Sequence, residues 1–312
     1  MKSIWRHGYI VLPFFCKISV KCEYWIFDGR GLNSIFFAHK TPMCLICVES
    51  GLLREKYLII LFMTLKEYSS LLSETLNISD YQDISLNGDQ IEAEDREIKR
   101  AAFAVDASLS AIKKAVEWNA DILVVHHGLF WGRCETITGD HYKRVAEAIK
   151  GNLMLYGVHI PLDANEKHGN NSGIADALEL EDRVGFGDWK GKEIGVKGNL
   201  KEPKTLKEIS DILGFDWNRV RIINPKNKET FSSLATVSGS GSGEIDEAVE
   251  QNVDLFITGE IKHDIYWKAY EAGLSVLAGG HYRTETFGVK SLMKMTESLG
   301  VECMFVEEDT GL

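Results

Sequence analysis

The chain of 312 residues carries 35 Lys and Arg against 46 Asp and Glu, a formal net charge of −11, with 45% apolar and 26% charged residues. This is the composition of a soluble globular protein of one large or two ordinary domains, and it excludes an intrinsically disordered chain. The acidic balance argues against nucleic-acid binding by phosphate neutralisation, and no apolar run reaches the ~20 residues of a membrane helix, so a cytoplasmic location without membrane attachment is expected.

Charge is unevenly spread. Residues 1–62 hold eight Lys/Arg and four Asp/Glu, a net +4, which leaves −15 for the rest, and four of the six cysteines (Cys16, Cys22, Cys44, Cys47) lie there. The segment shows no sustained helical or strand period. At Met63 the character changes, because Thr64-Leu-Lys-Glu67 is a capping box that opens a helix with Leu65, Tyr68, Leu71 and Leu72 on its apolar side. Residues 1–62 are therefore expected to be an unstructured or artefactual extension, with the protein proper starting at Met63. Cys44 and Cys47 have the spacing of half a zinc site, but Cys16 and Cys22 do not complete it, so a zinc module is the weaker alternative.

From Met63 onward helix and strand signals alternate, which predicts an α/β protein with mostly parallel strands. A helix is predicted near 65–76, a strand over Arg100–Val105, a helix over Leu109–Trp118 capped by Ser108, and a strand over 121–125. Helix 142–150 and strand Leu153–Val158 follow. The run A-N-E-K-H-G-N-N-S-G after Asp163 reads as a loop crossing between domains. Beyond it come helix Ile174–Leu180, a second capping box at Thr205 and Glu208, and strand Leu234–Val237. S-G-S-G-S-G (238–243) reads as a flexible connection, since it lacks both the P-loop residues and the dinucleotide-binding spacing. Helix Ile245–Gln251, strand Val253–Ile257, helix Ile265–Ala272, strand Leu274–Ala278, a helix from about Thr284 to Leu299 and a short strand Glu302–Val306 complete the chain.

Four of the apolar runs end in metal-ligand residue types: His126 and His127, then His159 and Asp163, then Glu260 and His263, then His281 and Glu285. Open α/β sheets build their sites at the carboxyl ends of strands, and imidazole with carboxylate suits a divalent transition metal. Five of these residues, His126, His127, Asp163, His281 and Glu285, are enough for two ions, although each pattern alone is weak and a lone strand-end His is more often structural. Adjacent strand residues face opposite ways, so the His pair is expected to converge only where the strand has ended and Gly128 lets the backbone turn. His281 and Glu285 are expected four apart on one face at the start of the last helix. His159 and His263 are the catalytic candidates: His159 orients Asp163 or a substrate or is merely structural, and His263 is an acid–base group or a solvated helix-start residue.

V-V-H-H-G-L-F-W (124–131), H-I-P-L-D (159–163) with G-N-N (169–171), D-L-F-I-T-G-E-I-K-H-D (254–264) and A-G-G-H-Y-R-T-E (278–285) together resemble the Nif-three-like dinuclear-metal family, often labelled GTP cyclohydrolase I type 2 homologues. The resemblance covers about 63–312. It implies two α/β lobes, 63–160 plus 276–312 and an inserted 161–275, with the metal site in the cleft between them. It also implies two divalent ions (zinc, iron, manganese and nickel are not distinguished) on the residues at His126, His127, Asp163, His281 and Glu285, and a ring-shaped homohexamer. There is no room between 180 and 235 for the extra domain of longer members. The function expected is a metal-dependent hydrolase whose activated water attacks a nucleotide-like or related small molecule. The alternative is a non-catalytic, regulatory or metal-handling ring.

Overall fold

The apolar runs at 101–105, 122–125 and 154–156 lack polar alternation, and in the computed structural model they form strands at the centre of a five-stranded sheet, buried on both faces. The structure describes residues 63–312 and, ahead of them, the backbone of five strands: β1 (Trp5–Arg6), β2 (Tyr9–Ile10), β3 (Ile35–Ala38), β4 (Cys44–Glu49) and β5 (Lys56–Leu61). β1 pairs with β2, and β3, β4 and β5 form an antiparallel sheet that the sequence reading did not anticipate. The zinc alternative, which needs Cys16 and Cys22, lies outside the described residues.

The order continues with α1 (Leu65–Thr75), β6 (Gly88–Ile91), β7 (Arg100–Asp106), α2 (Leu109–Glu117), β8 (Ile122–His127), α3 (Gly139–Lys150), β9 (Met154–Gly157), α4 (Ile160–Ala164) and α5 (Asn170–Ala177). Then come β10 (Glu181–Trp189), β11 (Lys192–Lys204), α6 (Leu206–Ile212), β12 (Arg221–Ile223), β13 (Phe231–Val237) and α7 (Ile245–Glu250). The chain ends with β14 (Leu255–Thr258), α8 (His263–Ala272), β15 (Ser275–Ala278), α9 (His281–Thr284), α10 (Thr286–Ser298) and β16 (Glu302–Phe305). Both expected capping boxes form, with Thr64 and Glu67 on α1 and Thr205 and Glu208 on α6 each closing the reciprocal pair of bonds.

The five-stranded sheet runs β16-β7-β8-β9-β6, and the first three pairings are parallel while β6 closes the edge antiparallel. The second sheet runs β10-β11-β13-β14-β15-β12, with a parallel centre at β13, β14 and β15 and antiparallel pairs on both sides. Leu123, Val125, Ala102 and Ala104 face a core closed by Ile112 of α2 and Val145 of α3. On the second sheet Phe256 and Val276 pack with Ile245, Ala248 and Ala269, while Leu255, Ile257 and Leu277 pack with Ile174 and Ile209, so strand alternation serves a core on each face. Among the described residues no helix is long and apolar enough to cross a membrane.

Two expectations are corrected and one element was not foreseen. The run after Asp163 is not all loop, because α5 begins at Asn170 and buries Asn170 and Asn171. The β10–β11 hairpin lacked a sequence signal, since its faces alternate irregularly between exposed and buried positions. The strand Ser275–Ala278, expected to rejoin the first lobe from 276 onward, instead pairs with β14 in the second sheet, and the strand that returns to the first sheet is β16.

Candidate metal centre

β8 does not end before its histidines. His127 still pairs with Asp106 at the end of β7, so both imidazoles stand on strand positions at the carboxyl edge of the sheet, contrary to the expected turn at Gly128. Their rings nevertheless lie close, with centroids 4.6 Å apart, because each is anchored through Nδ1 to a different neighbour. His126 Nδ1 meets the Val158 carbonyl at 3.0 Å and His127 Nδ1 meets Asp106 Oδ1 at 2.8 Å. A carbonyl and a carboxylate can only accept, so Nδ1 carries the proton in both and the lone pair of the neutral ring sits on Nε2.

The same arrangement recurs around them. His159, at the start of α4, places Nδ1 3.1 Å from Asp83 Oδ1, and its ring centroid is 5.1 Å from that of His126. Asp163 Oδ1 accepts from Asn170 Nδ2 at 2.9 Å and Ser238 Oγ at 2.7 Å, while Oδ2 stands 3.6 Å from His126 Nε2. Glu285 turns Oε1 toward His281 Nε2 (3.1 Å) and His126 Nε2 (3.5 Å), and Oε2 toward His127 Nε2 (3.3 Å). His281 and Glu285 are four apart as expected, but Glu285 sits at the break between α9 and α10 rather than within one helix.

Three overlapping sets of ligand atoms result, each within 4.8 Å of one another: His126 with His127 and His159, His127 with His281 and Glu285, and His126 with Asp163 and Glu285. All five expected ligands and His159 are thus brought together. His263 is not: it is exposed at the start of α8 and belongs to none of the three sets. Glu260 lies at the margin, with Oε1 3.8 Å from His281 Nδ1.

The electrostatics fit a cation. Burial disfavours a charged His126, yet the carboxylates of Asp163 and Glu285 outweigh it and raise its pKa to about 9. Burial likewise opposes ionisation of Glu285, but the His126 and His127 imidazoles hold it well below the usual carboxylate range. His126 Nε2 and Glu285 Oε2 are buried without a hydrogen-bond partner. Such atoms are costly to leave unpaired, and a divalent ion would satisfy both.

Several residues that the sequence reading missed hold this arrangement. Asp83, Asp106 and Ser238 anchor His159, His127 and Asp163 from behind, and Asn171 Oδ1 accepts from the Ser238 backbone N–H at 2.8 Å. The S-G-S-G-S-G segment is part of the site rather than a flexible connection. Gly239 N donates to Thr284 Oγ1 at 3.0 Å, Gly241 N donates to Thr258 Oγ1 at 3.0 Å, and Gly241–Glu244 forms a 3₁₀ turn. The signal available was a serine placed directly after a buried strand, in line with the other strand ends.

Two parallel-centred sheets whose strand ends gather imidazoles and carboxylates, anchored by polar partners, define an α/β protein with a site suited to divalent metal. The profile of the family described as Duf34/NIF3 (NGG1p interacting factor 3) matches residues 63–311, and the chain belongs to that family. Relatives called GTP cyclohydrolase 1 type 2 homolog include one from Pyrococcus abyssi, 44% identical over 80% of this chain and all of its own length. One from Halobacterium salinarum is 40% identical over the same shares. A crystal structure of a Thermus thermophilus protein superposes with TM-score 0.69 at 36% identity, covering 79% of this chain and 99% of that one. Reduced HcgD from Methanocaldococcus jannaschii gives TM-score 0.70 at 27% identity, covering 80% and 100%.

Proposed function

We propose that the protein is a dinuclear-metal-dependent hydrolase of a nucleotide-like small molecule, with one ion held by His126, Asp163 and Glu285 and a second by His127, His281 and Glu285. The observation that carries this reading is the pair of buried, unpartnered atoms His126 Nε2 and Glu285 Oε2 among side chains otherwise anchored from behind. Bound there, divalent metals supply Lewis acidity and lower the pKa of a bound water toward neutrality.

The chain's own part is to fix the ligands. Val158 and Asp106 hold the two imidazoles in the tautomer that leaves Nε2 free, and Ser238 and Asn170 occupy Asp163 Oδ1 so that Oδ2 is the oxygen presented. His159, braced by Asp83, brings a third imidazole beside His126 and His127, where it orients a substrate or moves a proton. The relatives' cyclohydrolase label gives a class to test, GTP and its analogues, and no guanine-reading group stands out here. We also read the assembly as a homohexamer, and the second sheet as a lobe inserted into the first.

Metal analysis after reconstitution, combined with turnover on nucleotides, cyclic amides and phosphoesters, tests the proposal. Two metal equivalents, metal-dependent turnover and loss of both in Asp163→Asn are expected. Two equivalents with metal transfer to a client protein and no turnover would replace the hydrolase with a metal-handling protein, and no bound metal would end both readings.

A further inference from the structure

The side-chain cluster has a closed floor and an open rim. His126, Asp163 and Glu285 expose 0%, 9% and 4% of their side chains, whereas His159, His127 and His281 expose 18%, 20% and 31%. A molecule reaching the cluster therefore arrives along the three exposed imidazoles, and the half-buried indole of Trp131 stands beside two of them. Its ring centroid is 5.1 Å from that of His159, with the planes at 73°, and 6.0 Å from that of His127, with the planes at 41°. We infer that Trp131 is the surface on which a flat heteroaromatic ring of the substrate stacks while the reacting bond lies over the cluster. This rests on the hydrolase reading above and names what the nucleotide-like substrate presents at the rim.

The indole has no part in holding metal. Its Nε1–H can only donate, and it donates to the Gly128 carbonyl at 3.0 Å. That bond fixes one edge of the ring, and the backbone around it is pinned as well. Leu129 N donates to Gln90 Oε1 at 2.6 Å, and the Phe130 carbonyl accepts from Leu86 N at 3.0 Å. Gly132, at a left-handed φ of +69°, packs so closely that a Cβ on it would stand 2.8 Å from the Ile84 carbonyl oxygen. A ring held in this way is in place before a ligand arrives and loses little freedom on binding.

The competing role, a prop for the neighbouring histidines, is already filled. His127 Nδ1 is anchored by Asp106 at 2.8 Å and His159 Nδ1 by Asp83 at 3.1 Å, so neither imidazole needs the indole to fix its orientation. What the indole adds is a flat apolar face next to polar ligands. Every base has a π-face, so such a surface selects a planar ring without selecting among bases, and truncating it weakens binding roughly 5- to 150-fold. That agrees with a site in which no guanine-reading group stands out.

Guanosine, adenosine and ribose titrated calorimetrically into the full chain, both metal-loaded and EDTA-treated, test the inference. The two nucleosides are expected to bind within about threefold of each other, and ribose far more weakly. Trp131→Leu should weaken both nucleosides about tenfold or more, and Trp131→Phe, which keeps a ring, by less, with metal content and circular dichroism unchanged. Equal nucleoside affinity in the wild type and Trp131→Leu overturns the inference, as does ribose binding as tightly as guanosine. Equal losses in the Phe and Leu variants overturn it too, because they would trace the effect to packing rather than to a flat ring. Metal lost from Trp131→Leu, while its EDTA-treated form binds nucleosides as the wild type does, would make the indole a prop for His127 and His159. A chain that takes up no metal defeats the hydrolase reading, and the EDTA-treated titrations still decide this one.

Discussion

His127 and Asp106 face each other as the last registered pair of two parallel strands, and the imidazole Nδ1 lies 2.8 Å from the carboxylate. The backbone register, rather than a loop, therefore sets which nitrogen of His127 looks toward Glu285, whose Oε2 is 3.3 Å from Nε2. Partners of this kind fix tautomer and ring orientation. Asp106→Ala is expected to weaken metal binding by ~10–100-fold while leaving the fold intact. Competition against a chromophoric chelator measures this, and an unchanged affinity would mean that the pair is structural only.

Gly239 has a left-handed φ of +59°, and a Cβ built on it would stand 2.2 Å from Glu285 Oε1. Substitution by alanine would strain the backbone by ~1 kcal/mol and push away the carboxylate shared by two of the three ligand sets. Gly243, in the same Ser-Gly run, has ordinary φ and open space around its Cβ position. Gly239→Ala should lose bound metal although no ligand is changed, whereas Gly243→Ala should keep it. Metal content of the two purified variants, side by side, decides the matter, and equal retention would show that the carboxylate can relocate freely.

The clustering of these side chains was legible in the sequence because each follows a buried apolar run, and strand ends are where an open α/β sheet exposes functional groups. His126, His127, Asp163, His281 and Glu285 all converge as expected. What holds them was not legible. Asp83 and Asp106 meet their histidines across 76 and 21 residues of chain, and a lone acid in a loop or at a strand end has no distinguishing local pattern. The convergence of adjacent His126 and His127 also escaped a period-two argument, because Val158 and Asp106 pull the two rings to one edge from different sides. The capping boxes succeeded for the opposite reason: all their bonds lie within four residues.

His126 without metal should carry a proton at neutral pH. Burial resists the charge, but Asp163 and Glu285 prevail and hold the pKa at about 9, above the ordinary 6.5. The sign follows from the raised value. Its contribution to the stability of metal-free protein is complete below pH 6.5 and is lost as pH rises through 9. A metal ligand must offer a bare Nε2, so uptake at pH 7 should release ~1 proton from this residue. Calorimetry of metal binding in buffers of different ionisation enthalpy counts that proton, and His126→Ala should lower the count. Release that stays the same from pH 7 to pH 10 would place the proton elsewhere.

Glu244 tests the linkage away from the ligands. Burial raises its carboxyl from 4.5 to about 7, against a backbone hydrogen bond and with added repulsion from Glu247. Here the folded state binds the proton more tightly than the unfolded chain, so stability is highest below pH 4.5 and falls as pH rises toward 7. Replacing the side chain with an uncharged isostere removes that slope. Glu244→Gln should match the wild type near pH 4 and exceed it in urea midpoint above pH 7, with no change in metal content. A stability difference of one size at both pH values would mean that packing beside Gly187, and not the buried charge, governs this position.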